Sequence, residues 1–215
     1  MARFRFGPMR WTKPMRWIKV AIWLAALLPL LILVDRIFLF GRFSGGGFVD
    51  DPVELIQHWT GTGALVILFV TLSITPLRRL SGYNKLTTLR RPIGLFAFFY
   101  ATLHVLSYFV FDHRLNFGAI LQDVAEHNWV LVGFAAWVLL IPMAVTSTSG
   151  WIRRMGGKKW TRLHRSIYAV AVLGVLHFLW QVKLETSEPL IYGAILLVIF
   201  AVRFLTRKKK LSRPA

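Results

Sequence analysis

Cysteine is absent from this chain, and only nine of its 215 residues are acidic. The first absence excludes disulfides, thiolate-bound zinc, iron–sulfur clusters and cysteine nucleophiles together, so any transition metal has to be held mainly by histidine. The second leaves a formal charge of +18 with few carboxylates to balance it. Such a charge suits nucleic acid, but its distribution speaks against that partner, because the basic residues stand in short blocks between long apolar runs rather than along one soluble face. A glycine-rich dinucleotide fingerprint behind a strand is also missing. The run Gly45-Gly46-Gly47 follows no strand, and no soluble domain is expected outside the apolar segments, so the chain is not expected to oxidise NAD(P)H itself.

What is present is apolar surface. The chain is 56% hydrophobic with a mean hydropathy of +0.56, beyond the range of a soluble domain of this size. A hydrocarbon core about 30 Å thick calls for about 20 apolar residues per helix. Six stretches approach that length: Trp17–Val34, Trp59–Leu77, Pro92–Phe111, Trp129–Val145, Ser166–Val182 and Pro189–Leu205. Uninterrupted runs of this kind select helices over strands, since every backbone amide in lipid must find its partner within its own segment. The expected fold is an all-α membrane protein, a six-transmembrane-helix bundle at residues 17–205 between a basic arm at 1–16 and a basic tail at 206–215. The first run lacks a small-residue cleavage pattern and reads as a retained helix. Pro76 is expected to end the second span, Pro92 and Pro189 to occupy first turns, and Pro29 and Pro142 to kink their helices.

Charge sets the expected orientation, because loops rich in Lys and Arg stay cytoplasmic. The arm carries Arg3, Arg5 and Arg10, the second loop Arg78, Arg79, Arg90 and Arg91, the fourth loop Arg153, Arg154, Arg162 and Arg165, and the tail Arg207 to Lys210 and Arg213. All nine acids fall in the first, third and fifth loops. Both termini are therefore expected to be cytoplasmic, and adding or losing one span would break the alternation.

Ionisable residues within a span are costly and point to function. His104 lies twelve residues beyond Pro92 and His177 eleven beyond Ser166, depths of about 18 Å and about 16 Å at 1.5 Å per residue. Both helices start on the same side, so the two imidazoles reach nearly the same level, as a haem held between two histidines requires. Gly174, one turn before His177, would allow a flat macrocycle to approach. His164 lies about 20 Å lower on the same helix and, on a straight helix, about 140° round from His177, so a bend or an unwound entry turn is needed to align them. The third-span positions facing it hold Arg90 and Arg91 rather than histidine. His58, His113 and His127 read as solvated or interfacial, and Trp17, Trp59, Trp129 and Trp151 as anchors at the headgroup level.

The residues that carry these features also carry a family pattern: Leu-Arg90-Arg91-Pro92 opening a span that contains Leu-His104, then Trp160-Thr-Arg-Leu-His164-Arg165 leading into Leu-His177-Phe. Over nearly its whole length the chain resembles the MsrQ (YedZ) family of bacterial membrane subunits, part of the wider ferric-reductase-like transmembrane family. The resemblance implies b-type haem, one or two, on His104, His164 and His177, and FMN as a second cofactor. It further implies a multi-pass protein of the bacterial inner membrane that draws electrons from the quinone pool or a cytoplasmic flavin reductase. Their destination would be MsrP, a periplasmic molybdopterin enzyme that repairs methionine sulfoxide; the present chain would be a redox subunit rather than the catalytic one. An arginine-rich inner surface suits a flavin phosphate, with Arg78, Arg79, Arg90 and Arg91 as its candidates.

Two other readings remain open at this stage: a small transporter or channel with His104 and His177 lining a proton or substrate path, and a membrane anchor without cofactor. Colour separates them. The redox reading expects red purified protein with a Soret band that shifts on dithionite reduction; a colourless preparation made with haem available favours transport.

Overall fold

The computed structural model describes residues 13–39, 49–182 and 186–211. Arg3, Arg5, Arg10, the Gly45-Gly46-Gly47 run, Glu185 and Arg213 lie outside the described residues. All regular structure among the described residues is helical. Six helical segments are long and apolar enough to cross a membrane: Val20–Phe38, Pro52–Ser81, Asn84–Asp112, Asn128–Val145, Gly157–Gln181 and Ser187–Thr206. These are the six spans expected from hydropathy, with shifted ends.

The chain divides into two compact units. The first, Met1–Gly47, holds α1 (Lys13–Phe38) with Pro29 in its interior. The second, Phe48–Ala215, begins with α2 (Pro52–Ser81). Asp51 caps α2, its Oδ1 accepting from the backbone N–H of Val53 at 2.8 Å and of Glu54 at 3.0 Å, while Pro52 takes the first position where no N–H is needed. The helix ends at Gly82, whose φ of 71° is the left-handed conformation that closes helices; its N–H donates to the Arg78 carbonyl.

Pro76 does not end this span, contrary to the sequence expectation. It sits inside α2, one turn from the C-terminus. A proline within a helix strips the carbonyl four residues earlier of its donor, here Leu72. Arg203 supplies the replacement, its Nη1 donating to the Leu72 carbonyl at 3.2 Å, and its guanidinium is held 4.7 Å above the Tyr168 ring. The helix continues because a side chain from another span repairs the break.

A 3-10 turn (Asn84–Leu89) leads into α3 (Arg90–Ser107), which passes into a π-helical turn at Tyr108–Asp112. Next come α4 (Phe117–Glu126), α5 (Asn128–Val145), α6 (Ser149–Met155) and α7 (Gly157–Leu163). A 3-10 turn at His164–Ser166 joins α7 to α8 (Ile167–Gln181), and α9 (Ser187–Leu211) completes the unit. The short helices α4, α6 and α7 lie where hydropathy alone shows connecting loops; none reaches spanning length. Asn116 caps α4 by accepting from Ala119 N–H at 3.2 Å, and Ile120 is buried while Phe117 and Leu121 are exposed.

Within this unit α2 packs on α3, α8 and α9, α5 packs on α3 and α8, α8 packs on α9, and α4 lies on α5. The core is built from Leu65, Leu68, Phe69 and Leu72 of α2, Ala97 of α3, Ala136 and Leu140 of α5, Ala171 of α8 and Leu196 of α9. Alanines at three of these crossings let the backbones approach closely, the usual currency of helix association in lipid. Val66, Val70, Val138, Val172, Leu197 and Val198 point outward, an apolar exterior that hydrocarbon solvates without cost.

Replacing the donor tests the repair of α2. Arg203→Met leaves the Leu72 carbonyl unpaired and is expected to lower stability by about 1–3 kcal/mol in a detergent unfolding assay. Adding Pro76→Ala restores a local donor, so the double variant recovers part of that loss; equal stability in single and double variants would contradict the assignment.

Candidate functional site

The two intramembrane histidines meet. His104 projects from the last turn of α3 and His177 from α8, and their ring centroids lie 6.0 Å apart with the planes crossed at 75°. Each ring is held by a backbone carbonyl on a third or fourth helix. His104 Nδ1 donates to the Gln57 carbonyl of α2 at 3.1 Å, and His177 Nδ1 donates to the Trp129 carbonyl of α5 at 2.8 Å. A carbonyl only accepts, so both rings carry their proton on Nδ1 and keep the Nε2 lone pair for another use. Pinning one ring nitrogen to a carbonyl so that the other meets a metal is the arrangement found behind metal-bound histidines.

Helix geometry explains how the rings reach those carbonyls. Within a helix the carbonyl of residue i faces the N–H of residue i+4, and a side chain there crowds any group approaching from outside. The residues four beyond Gln57 and Trp129 are Gly61 and Gly133. A Cβ at Gly61 would lie 3.1 Å from Nδ1 and Cε1 of His104. At Gly133 it would lie 2.6 Å from Nδ1 and 2.8 Å from Cε1 of His177, distances no packed structure tolerates. Both glycines were missed in the sequence reading, although the spacing from an outer-end residue to a glycine one turn deeper repeats in α2 and α5. Trp129, read as an anchor, thus also supplies the carbonyl under His177, and its ring centroid lies 6.1 Å from that histidine. At Gly174 a Cβ would meet Leu65 Cδ1 at an ordinary 3.4 Å.

His164 is not brought to the pair. It sits in the 3-10 turn between α7 and α8, the unwound entry that the sequence required, stacked on Trp160 with centroids 3.8 Å apart and Nδ1 donating to the Trp160 carbonyl at 3.1 Å. Its Nε2 is buried beside the Met143 backbone without a hydrogen bond of acceptable geometry. The four candidate arginines separate into roles. Arg79 is committed to α9, its Nη1 donating to the Arg203 carbonyl at 3.1 Å and lying 3.4 Å from Thr206 Oγ1. Arg91 is exposed. Arg78 has a buried Nε without a partner, and Arg90 stands within electrostatic reach of Arg78, Tyr168 and His164. Arg203, absent from the sequence-derived set, belongs to the same basic end.

At the acidic end, Asp123 of α4 gathers three donors. Tyr108 donates its hydroxyl, His127 Nδ1 lies 2.8 Å away and His113 Nε2 3.3 Å away. Burial alone raises the Asp123 pKa, but the Tyr108 hydroxyl and the two imidazoles outweigh it and hold the carboxyl below its ordinary value. The Gln57 side chain donates to Asp112, so the residue whose carbonyl steadies His104 is itself tied to the π-helical turn. His58 and His127 are exposed, and His58 lies 3.8 Å from Glu188, in keeping with solvated or interfacial roles.

Comparison with known proteins agrees with this arrangement. A family model described as ferric reductase like transmembrane component matches residues 20–175. The chain is similar to the protein-methionine-sulfoxide reductase heme-binding subunit MsrQ of Herminiimonas arsenicoxydans, with 44% identity over 85% of this chain and 87% of that protein. The corresponding subunit of Rhodospirillum rubrum is 43% identical over 84% of this chain and 88% of its own. Magnetosome protein MamZ of Magnetospirillum gryphiswaldense is 40% identical over 82% of this chain, a stretch that makes up 27% of MamZ. With six spanning helices, the chain is a multi-pass membrane protein, and its bacterial relatives fit an inner-membrane location. On the length of these matches, the chain belongs to the ferric reductase like transmembrane family and, within it, to the MsrQ subunits.

Proposed function

We propose that this chain is a b-type haem electron-transfer subunit of a methionine-sulfoxide reductase system, with His104 and His177 as the two axial ligands of one haem. The observation that carries this is the paired geometry. A metal–imidazole bond of about 2 Å puts a ring centre roughly 3 Å from the metal, so two rings on opposite sides of one iron stand about 6 Å apart. The separation here is 6.0 Å, with both Nδ1 atoms already engaged and both Nε2 atoms available. When bound, haem supplies a one-electron ferric/ferrous couple. The protein's own share is to present two neutral imidazoles, keep the lipid-embedded site dry, and fix ring orientation through backbone carbonyls.

The relatives' name, a heme-binding subunit of a reductase, supports a partner that carries the catalysis. We take that partner to be the periplasmic molybdopterin enzyme MsrP, and the donor to be the quinone pool or a cytoplasmic flavin reductase. Both termini and the basic end, including arm 1–16 and tail 206–215, then face the cytoplasm. FMN would place its phosphate among the arginines there. Arg78 is the best candidate of the four, since its buried Nε has no partner, whereas Arg79 is bound to α9 and Arg90 and Arg91 are both exposed. His164 would serve a lower redox site, its buried Nε2 being the available atom.

Haem and flavin content of the wild type and of His104→Ala, His177→Ala and His164→Ala test the reading. Loss of either paired ligand is expected to cut haem content by about tenfold or more, given that even supporting groups are worth about 10–100-fold in metal affinity. His164→Ala retains the haem between His104 and His177. Equal haem in all four proteins would remove the proposed ligands. For the flavin, Arg78→Ala lowers FMN content while Arg91→Ala leaves it unchanged; equal FMN in the two would refute the phosphate assignment.

A further inference from the structure

We propose that Gly61 and Gly133 are positioning residues for the two axial imidazoles, each opening a side-chain-free slot on the turn whose carbonyl holds the ring, so that together they fix the rings in a crossed orientation. The inference rests on the haem reading above and goes beyond it, from which atoms bind to what sets their angle.

The two slots are built alike from different helices. In α2 the Gln57 carbonyl accepts from His104 and residue 61 is glycine; in α5 the Trp129 carbonyl accepts from His177 and residue 133 is glycine. Each imidazole therefore lies flat against a neighbouring helix rather than merely near it. A hydrogen bond fixes one point of a ring, and contact with a bare helix surface fixes its plane. The two rings are held on different helices, α2 and α5, and their planes are crossed at 75°. The slots are unequal. A methyl group at Gly133 would stand 2.6 Å, 2.8 Å and 3.0 Å from Nδ1, Cε1 and Cγ of His177, whereas at Gly61 its nearest contacts with His104 are 3.1 Å. The first must expel the ring; the second asks it to shift by a few tenths of an ångström.

Crossed axial planes have a spectroscopic signature that packing alone does not move. In low-spin ferric haem, perpendicular imidazoles leave two iron d orbitals nearly equal in energy, and the EPR spectrum collapses towards one low-field feature. Parallel planes separate those orbitals and give a rhombic three-line spectrum.

The experiment compares purified full-length wild type, Gly61→Ala, Gly133→Ala and, as a control for helix packing, Gly174→Ala, by haem content, redox midpoint potential and EPR. The wild type is expected to show the single low-field feature. Gly133→Ala is expected to bind haem about 10–100-fold more weakly, with its residual signal high-spin or rhombic. Gly61→Ala is expected to keep its haem with a displaced low-field feature and an altered potential, and Gly174→Ala to match the wild type. A haem-replete Gly133→Ala with the wild-type spectrum overturns the slots while leaving the haem reading in place; a colourless wild type removes the haem reading itself. Should Gly133→Ala not be recoverable from the membrane, Gly61→Ala decides alone, and an unmoved spectrum and potential in it overturn the proposal.

Discussion

Two hydrogen bonds from imidazole to backbone carbonyl organise the centre of this protein. His104 to Gln57 and His177 to Trp129 each join the helix of one paired histidine to a neighbouring helix, so α2, α3, α5 and α8 are tied around one point. A lone histidine in hydrocarbon would have to satisfy both ring nitrogens or suffer a desolvation penalty. Here each ring satisfies one nitrogen on a backbone carbonyl and keeps the other, with the two ring centroids 6.0 Å apart. A haem iron would answer that remaining need, which is why the pair reads as a site rather than as polar glue between helices.

The supports of the pair extend towards the acidic end of the molecule. Gln57 is bound through its side chain to Asp112, and His127, two residues before Trp129, is bound to Asp123 together with Tyr108 and His113. The third loop thus grips segments that steady both histidines. At the basic end Arg79 and Arg203 lean on carbonyls, a hydroxyl and an aromatic ring. One end is consolidated by its own carboxylates, the other by guanidinium groups on backbone carbonyls.

Much of this was legible in the sequence because its signals are local. Span number follows from runs of apolar residues, and the matched depth of His104 and His177 follows from helical rise, which depends on residue count alone. Angular arithmetic put His164 about 140° round from His177 on a straight helix, and in the structure His164 sits in a 3-10 turn, His164–Ser166, ahead of α8. What escaped detection depends on partners distant in sequence. Pro76 looked like a terminator because the donor that rescues Leu72 sits on α9, at Arg203. Gly61 and Gly133 looked like ordinary small residues because the rings they accommodate come from other helices, and Gly174 drew attention only by its nearness to His177. Helix α4 was hidden by its brevity, since a ten-residue amphipathic helix leaves no mark in a window tuned to membrane thickness.

The rescue of Leu72 also bears on biogenesis. Translation delivers α2 to the membrane long before α9, and until that last helix arrives the carbonyl opposite Pro76 has no guanidinium to meet it. The early intermediate therefore carries a weak point in its own second span, healed only when the C-terminal helix docks. Chains that stop short of Arg203 would be left with this carbonyl unpaired.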